Sequence, residues 1–352
     1  MVTIPNVVVF SGFLIGIIFG VVGLLSGFCL MSGLRNWWTQ GDGRMIRAFA
    51  LAVAVAIVGT QVLAVGGLVD LSKSIYLQPS FSASLILLGG LLFGYGMVAA
   101  NACASRALVL LGRGNLRSLV VVTTIGVTAQ MTLKGLIAPT RVAVLQWSQT
   151  MPHAISLPAL ISASGLYDSL ARLLAAATVS GTLLVFALAY KPFRQSPGQV
   201  AAGVMIGLLV PAGWFTTGYL GADDFEPAPM ASLTFIAPIA DTLQYMMLST
   251  GLTLSFGIAV VSGVLIGSFV TALLTHRFQW EGYASQRHML RSVGGAALMG
   301  CGGAMAYGCS IGQGLTGLST LAVPSFVATA GILIGAAAAL RGPARVPALA
   351  TA

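Results

Sequence analysis

Long apolar runs separated by short polar segments dominate the pattern along this chain of 352 residues. A helix needs about 20 apolar residues to cross the roughly 30 Å hydrocarbon core of a bilayer, and several runs reach that length. The sequence lacks the period-two alternation with regular turns that is typical of a membrane barrel. The pattern therefore predicts an all-α integral membrane protein with about nine crossings, at residues 7–34, 48–69, 82–105, 118–137, 169–189, 200–220, 252–275, 292–315 and 320–340.

One further apolar stretch, residues 231–248, contains Pro238 and Asp241. Proline interrupts a helix because it has no N–H group and clashes with the preceding turn, and a charged side chain is costly inside a bilayer. We therefore expect a short re-entrant or broken segment here instead of a crossing. Asp241 keeps two interpretations, either a proton-coupling acid within the membrane or a carboxylate exposed near the outer surface.

The composition agrees with a membrane location, because 57% of the residues are hydrophobic and only 7% are charged, against roughly 25% charged in soluble domains. With the N-terminus outside, thirteen Lys and Arg residues would face the cytoplasm and four the exterior, as the positive-inside rule requires. The cytoplasmic set is Arg35, Arg44, Arg47, Arg106, Arg113, Arg117, Lys191, Arg194, Arg277, Arg287, Arg291, Arg341 and Arg345, and the outer set is Lys73, Lys134, Arg141 and Arg172.

This distribution predicts a multi-pass protein of the bacterial inner membrane with a periplasmic N-terminus and a cytoplasmic C-terminus. Asp223, Asp224 and Glu226 then face outward. The net charge of +9 reflects topology on this interpretation, so the expected surroundings are a lipid bilayer and no nucleic-acid partner is predicted.

Two glycine-rich segments, residues 89–103 and 295–309, share one pattern. A shift of 206 residues places Cys103 on Cys309 at the end of both segments. The same shift superposes Gly89 on Gly295, Leu92 on Leu298, Gly94 on Gly300, Gly96 on Gly302 and Ala100 on Ala306. Because glycine lets a backbone bend or another group approach closely, we expect a duplicated element with a thiol at its end.

In the predicted topology the two copies run in opposite directions across the membrane. An inverted repeat with a marked segment in each half is typical of transporters that bind substrate near the bilayer midplane. We expect a first repeat in residues 1–138, an external interfacial connector in 139–168, and a second repeat in 169–352 that includes the 231–248 segment. Cys29 and Cys103 belong to the first repeat and Cys309 to the second.

The cysteines show no spacing typical of a metal site or a disulfide. Cys301 and Cys309 are eight residues apart, about 12 Å along a straight helix, which is too far for a disulfide unless the glycines break that helix. No CxxC motif occurs, and the three histidines fall in predicted loops away from the cysteines, at His153, His276 and His288. We therefore expect no metal, no cofactor and no reactive cysteine pair. Cys301 has no counterpart in the other repeat and is predicted to be a packing residue.

Polar residues flank the two repeat cysteines and are candidates for substrate binding, although helix-to-helix hydrogen bonding would explain each of them about as well. These residues are Asn101, Tyr307, Ser310 and Gln313. Arg106, one turn beyond Cys103, is either an interfacial arginine or an anion contact on the exit side. The glycines predict helix breaks that line a path and turn N–H groups toward an oxyanion, at Gly94, Gly96, Gly300 and Gly302.

Four short motifs stand out along the chain: Gly94-Tyr-Gly96-Met97 leading to Cys103-Ala-Ser105, Gly114-Asn115, Leu298-Met-Gly300 leading to Tyr307-Gly308-Cys309, and Gly27-Phe-Cys29. Together they resemble the signature regions of the YeeE/YedE family of sulfur-compound transporters. The resemblance implies an inner-membrane importer with thiols along its path, typified by thiosulfate uptake. It also implies a small TusA-like sulfur-carrier protein as a cytoplasmic partner.

The chemistry of a buried thiol agrees with that implication. A thiol in apolar surroundings stays neutral, is a weak donor and is a soft partner suited to a terminal sulfur atom. Several weak sites along a path permit both entry and release. We therefore expect a protein that is not an enzyme and that imports a small sulfur oxyanion, most directly thiosulfate, past Cys29, Cys103 and Cys309. Two alternatives stay open at this point, a membrane thiol oxidoreductase and an anion channel.

Overall fold

The computed structural model describes residues 4–150, 154–163, 165–222, 228–283 and 285–342. Within these ranges the regular elements are helices. They are α1 (Ile4–Ser26), α2 (Leu30–Arg35), α3 (Arg44–Val65), α4 (Ala83–Ala99), α5 (Ala104–Gly112), α6 (Leu116–Leu133), α7 (Ala138–Ser148), α8 (Leu157–Ser162), α9 (Asp168–Leu188), α10 (Lys191–Arg194), α11 (Pro197–Phe215), α12 (Ile236–Met247), α13 (Phe256–Leu274), α14 (Gln286–Met305) and α15 (Val323–Arg341). Four shorter helical turns are Asn36–Gln40, Leu71–Lys73, Thr216–Leu220 and Gly312–Gly317.

Eight helices in the described part of the chain are long and apolar enough to cross a membrane, so the predicted all-helical membrane fold is confirmed. Their spans are Asn6–Gln40, Arg44–Val65, Ala83–Gly112, Leu116–Leu133, Asp168–Leu188, Pro197–Leu220, Phe256–Leu274 and Val323–Arg341. The predicted crossing at 292–315 corresponds to α14, which is not among these eight. This helix begins six residues earlier than predicted, with Arg287, His288 and Arg291 in its first two turns, and it ends at Met305.

Short interruptions divide several of the predicted crossings. The 7–34 run is split into α1 and α2, because Gly27 takes a left-handed conformation with φ 69° and ends the first helix. The 82–105 run ends as a helix at Ala99, and α5 starts only after Cys103. The 231–248 segment forms α12, a helix of 12 residues that is too short to span a bilayer. These interruptions bring irregular backbone into the interior of the protein.

The polar residues that bound the runs start the helices as their chemistry predicts. The hydroxyl of Ser82 accepts a hydrogen bond from the N–H of Leu85 at the start of α4, and Asn115 accepts one from the N–H of Ser118 at the start of α6. Each bond satisfies an N–H group that the helix itself leaves unpaired. Such caps fix where α4 and α6 begin, and so where the cysteine segment between them lies.

Helices α4 and α14 touch through glycines in a reciprocal way. A Cβ atom added to Gly89 would lie 2.6 Å from the carbonyl oxygen of Gly302, and one added to Gly302 would lie 2.6 Å from that of Gly89. Gly96 and Gly295 form a second such pair, at 2.5 and 2.7 Å. The 206-residue shift converts the first pair into the second, so the helices are antiparallel. Two copies related by a pseudo-two-fold axis pack in this way.

A second feature obeys the same shift. Asn101 and Tyr307 both have left-handed backbones, with φ 61° and 57°, immediately after α4 and α14. Positive φ is uncommon for residues other than glycine. The two helices therefore end by the same turn, and each turn leads to a cysteine two residues later.

The expectation that the helices break at Gly94, Gly96, Gly300 and Gly302 is wrong. All four lie inside α4 or α14, and the interruptions follow at the Asn101 and Tyr307 turns. The glycines instead permit close helix contact: a Cβ on Gly300 would meet the carbonyl oxygen of Ile125 in α6 at 2.6 Å, and one on Gly94 would clash with the carbonyl oxygen of Ile332 in α15. Small residues at helix crossings serve this purpose in membrane proteins.

The predicted connector at 139–168 contains α8 and all of α7 except its first residue, and α9 after it packs against α3. Its His153 lies outside the described residues, as do Asp223, Asp224, Glu226 and Arg345. The three-part division of the chain stays a prediction.

Candidate functional site

Three of the four cysteines lie where the backbone is interrupted. Cys29 immediately precedes α2, Cys103 immediately precedes α5, and Cys309 lies between α14 and the turn Gly312–Gly317. All three side chains are buried, whereas Cys301 lies within α14 and is half-buried. The three interruptions thus place three thiols inside the protein, at points where the chain departs from a continuous helix.

Cys29 and Cys103 form a close pair, with their Sγ atoms 3.3 Å apart. Sequence spacing carries no sign of this contact, because 74 residues separate the two cysteines, and the expectation that no two cysteines come close together is wrong. The Sγ atom of Cys103 also lies 3.4 Å from the hydroxyl of Ser105. Both cysteines have extended backbones at the N-terminal end of a helix.

Arg106 brings a positive charge to the same region. Its guanidinium Nη1 donates a hydrogen bond to the carbonyl oxygen of Gly23, at 3.1 Å, and the side chain is partly buried. Gly23 lies in the last turns of α1, and Arg106 lies in the first turn of α5. The side chain therefore joins the two chain segments that carry Cys29 and Cys103.

Cys309 has a different environment. The N–H group of Gly312 points at its Sγ atom at 3.3 Å, and the backbone of Phe235 lies against the thiol. Gln313 donates through Nε2 to the carbonyl oxygen of Ala306. The Gln313 Oε1 atom and the Ser310 hydroxyl are buried without a hydrogen-bond partner. Unpartnered buried polar atoms are costly, and these two lie within four residues of the thiol.

A cavity of about 150 Å³ adjoins this region and is here named the Tyr307 cavity. Its lining includes Tyr76, Gln78, Ser80, Phe81, Tyr307 and Gln313. Tyr76 is a site residue that the sequence did not reveal, because it lies in the loop between α3 and α4, far along the chain from Cys309. Burial raises the pKa of its hydroxyl, so the group stays protonated and is able to donate a hydrogen bond.

The repeat places the thiols asymmetrically. Cys103 and Cys309 follow opposite ends of the antiparallel α4–α14 pair. Cys29 and Phe235 are also 206 residues apart, and they directly precede α2 and α12. The second repeat thus has a phenylalanine at the position where the first has Cys29, and its ring packs on Phe19 with centroids 5.0 Å apart.

The remaining predicted residues, Asn101, Tyr307 and Asp241, lie in three different environments. Asn101 is exposed, whereas Tyr307, its counterpart in the second repeat, lines the Tyr307 cavity. Asp241 forms an ion pair with Lys134, with 3.2 Å between Oδ1 and Nζ, and its side chain is 36% exposed. This arrangement agrees with the interpretation of Asp241 as an accessible carboxylate near a surface.

Comparisons with known proteins agree with these features. Residues 25–338 match the sulphur transport family. The thiosulfate transporter TsuA of Escherichia coli is 27% identical over 318 residues, which cover 87% of this chain and 86% of that protein. The thiosulfate transporter TsuA of Spirochaeta thermophila is 24% identical over 341 residues, 93% of this chain and 96% of that protein. Because the family match spans most of the chain, including all three buried cysteines, this protein belongs to the sulphur transport (YeeE/YedE) family.

Proposed function

We propose that this protein imports thiosulfate and that the anion passes the thiols of Cys309, Cys103 and Cys29 in turn. The observation that carries the proposal is the placement of three buried thiols at three backbone interruptions. The two relatives are named thiosulfate transporters, which supports the choice of substrate.

Thiosulfate presents a soft terminal sulfur and a hard oxyanion, and the proposed path offers a partner for each. The thiols are weak S–H donors whose polarisable sulfur suits the terminal sulfur. The Ser310 hydroxyl has no protein partner and is free to donate to a sulfonate oxygen. At the other end, the N-terminus of α5 directly follows Cys103 and favours negative charge. Several weak sites along the path, in place of one strong site, would let the anion leave again.

The test of this proposal is uptake of labelled thiosulfate into vesicles that contain the purified protein. We expect saturable uptake that unlabelled thiosulfate suppresses, with weaker suppression by sulfate, which lacks the terminal sulfur. Sulfite and selenite serve as further competitors. Transport of sulfite without transport of thiosulfate would contradict the assignment of thiosulfate as the substrate. It would not contradict the assignment of the protein as a transporter of a sulfur oxyanion.

The 3.3 Å contact of Cys29 and Cys103 gives a specific reason to test a second function, a membrane thiol oxidoreductase. Counterflow separates the candidates. A carrier loaded with internal thiosulfate accumulates labelled thiosulfate transiently, an anion channel does not, and an oxidoreductase yields a chemically changed product. We expect counterflow and recovery of unchanged thiosulfate.

For orientation, we propose a periplasmic N-terminus in the bacterial inner membrane, on the basis of the thirteen-to-four distribution of Lys and Arg. The Tyr307 cavity then opens toward the periplasm, and the Cys29–Cys103 pair lies nearer the cytoplasm. A cysteine-accessibility tag at Gln78 should react from outside the cell, and one at Gly282 only after permeabilisation. The reverse pattern would overturn both the orientation and the order of the thiols.

A TusA-like sulfur-carrier protein is the proposed cytoplasmic partner, and family resemblance is its support. Such a carrier would accept sulfur at the cytoplasmic mouth and would keep the internal thiosulfate concentration low. Uptake into vesicles that enclose the carrier should then proceed to a higher plateau than uptake into empty vesicles.

A further inference from the structure

We propose that Cys29 and Cys103 form a disulfide-forming site that reacts with polythionates, the oxidised relatives of thiosulfate, and that the disulfide closes the path. The disulfide itself rests on the geometry of the pair, whereas the choice of oxidant and the effect on transport rest on the proposed function.

The geometry of the pair leaves a short distance to close. A disulfide requires about 2.05 Å between the sulfur atoms, and the two Sγ atoms are already 3.3 Å apart. Both residues precede their helices in extended conformation, and their carbonyl oxygens accept the first hydrogen bonds of α2 and α5, from Gly33 and Ala107. Gly27, with φ 69°, lies two residues before Cys29 and adds a hinge. The two sulfur atoms therefore have to approach each other by only about 1 Å to form the bond.

The surroundings also favour an anionic oxidant over a neutral one. Arg106 lies one turn beyond Cys103 and bonds to the carbonyl oxygen of Gly23, so a positive charge lies in the segments that carry the pair. Tetrathionate carries two negative charges and is built from two thiosulfate units. Each end of tetrathionate carries the same sulfonate group as thiosulfate, so a path that conducts thiosulfate would admit either end.

The reaction balances without a further reagent. The sulfur of one cysteine attacks a central sulfur of tetrathionate, breaks the central S–S bond, and releases one thiosulfate and one proton. The cysteine then carries an S–S–SO₃⁻ group. The second cysteine attacks the cysteine sulfur of this adduct, releases a second thiosulfate and a second proton, and forms the disulfide. Tetrathionate is reduced to two thiosulfate ions, and the two thiols are oxidised.

Closure follows from what the disulfide removes. Both S–H donors of the pair disappear, and the two interruptions before α2 and α5 become covalently joined. Thiosulfate then loses two of its three thiol partners. The state is reversible, because an added dithiol such as dithiothreitol reduces the bond by thiol–disulfide exchange.

The experiment uses the full-length protein in vesicles, treated with tetrathionate and then washed. Peptide mass spectrometry after alkylation of free thiols measures the Cys29–Cys103 cross-link, and labelled thiosulfate measures uptake. We expect the cross-link to form and uptake to fall by about tenfold or more, because hydrogen bonds to a charged group are lost. Dithiothreitol should restore uptake. Cys301→Ala serves as the matched control and should respond in the same way as the unchanged protein.

The other outcomes separate the parts of the proposal. A cross-link formed by diamide but not by tetrathionate would overturn the polythionate as oxidant. A cross-link without loss of uptake would overturn closure, and with it the placement of the pair on the path. No cross-link with either oxidant would overturn the disulfide site. Loss of uptake without a cross-link, accompanied by an adduct on Cys309, would place the sensitive thiol elsewhere and contradict the proposal.

Discussion

Replacing Cys103 or Cys309 by alanine is expected to lower thiosulfate uptake by roughly tenfold or more, because a hydrogen bond to a charged group contributes about 1.5–3 kcal/mol. Each alanine removes one of three thiols, whereas the fold loses only a small buried side chain. Cys29→Ala should have a similar effect, since Cys29 contacts Cys103 at 3.3 Å. The measurement is initial uptake into vesicles, normalised to the amount of folded protein.

Two controls distinguish a role in transport from a role in packing. Cys301→Ala should be nearly silent, because Cys301 lies within α14 and belongs to none of the interruptions. Serine at position 103 should restore little activity, since its hydroxyl is harder than a thiol and tends to bond its own backbone. Equal uptake by all four alanine variants would contradict a role in transport and would indicate that the cysteines are ordinary packing residues.

The membrane-spanning segments of this fold could be predicted because eight of them, in the described part of the chain, keep a long apolar run. The two glycine-rich segments could be predicted as well, because a shift of 206 residues preserves their glycines and the cysteine at their end. The structure adds the reason for that pattern: Gly89 faces Gly302 and Gly96 faces Gly295. One pseudo-symmetric crossing requires small residues at both positions of both helices.

The functions assigned to particular residues were harder to predict, because they depend on contacts between distant segments. The glycines of α4 and α14 suggested breaks, yet their freedom serves close packing, and the breaks occur at Asn101 and Tyr307. Tyr76 reaches the region of Cys309 from a loop more than 200 residues away in sequence. No local pattern encodes such a contact.

The two repeats differ in the number of thiols at their backbone interruptions, and one difference between pseudo-equivalent positions accounts for this. Cys29 and Phe235 precede α2 and α12 at the same shift of 206 residues, so the interruptions of the first repeat carry a thiol pair and those of the second carry one thiol, Cys309, beside an aromatic ring. In the proposed orientation the single thiol is met first and the pair second. An anion would thus move from one sulfur partner to two, with Arg106 beside the pair.

Gly295→Ala is expected to destabilise the protein by about 1–3 kcal/mol, the usual cost of overpacking a close contact. The new methyl group would lie 2.6 Å from the backbone nitrogen of Ala100 and 2.7 Å from the carbonyl oxygen of Gly96. Backbone atoms cannot move aside as a flexible side chain can. The α4–α14 crossing would have to open, and Ala100 is part of the turn that leads to Cys103, so uptake should fall together with stability.

The adjacent residue provides the matched control for this variant. Gly294 lies in the same helix, and a Cβ there meets nothing within 4 Å. Gly294→Ala should therefore leave stability unchanged or raise it by up to about 1 kcal/mol, because alanine favours a helix over glycine. Thermal unfolding of both variants in detergent makes the comparison. In the double variant Gly96→Ala/Gly295→Ala, the two losses of stability should be less than additive, since both methyl groups open the same contact. Equal stability of the Gly294→Ala and Gly295→Ala variants would contradict the reciprocal contact of α4 and α14.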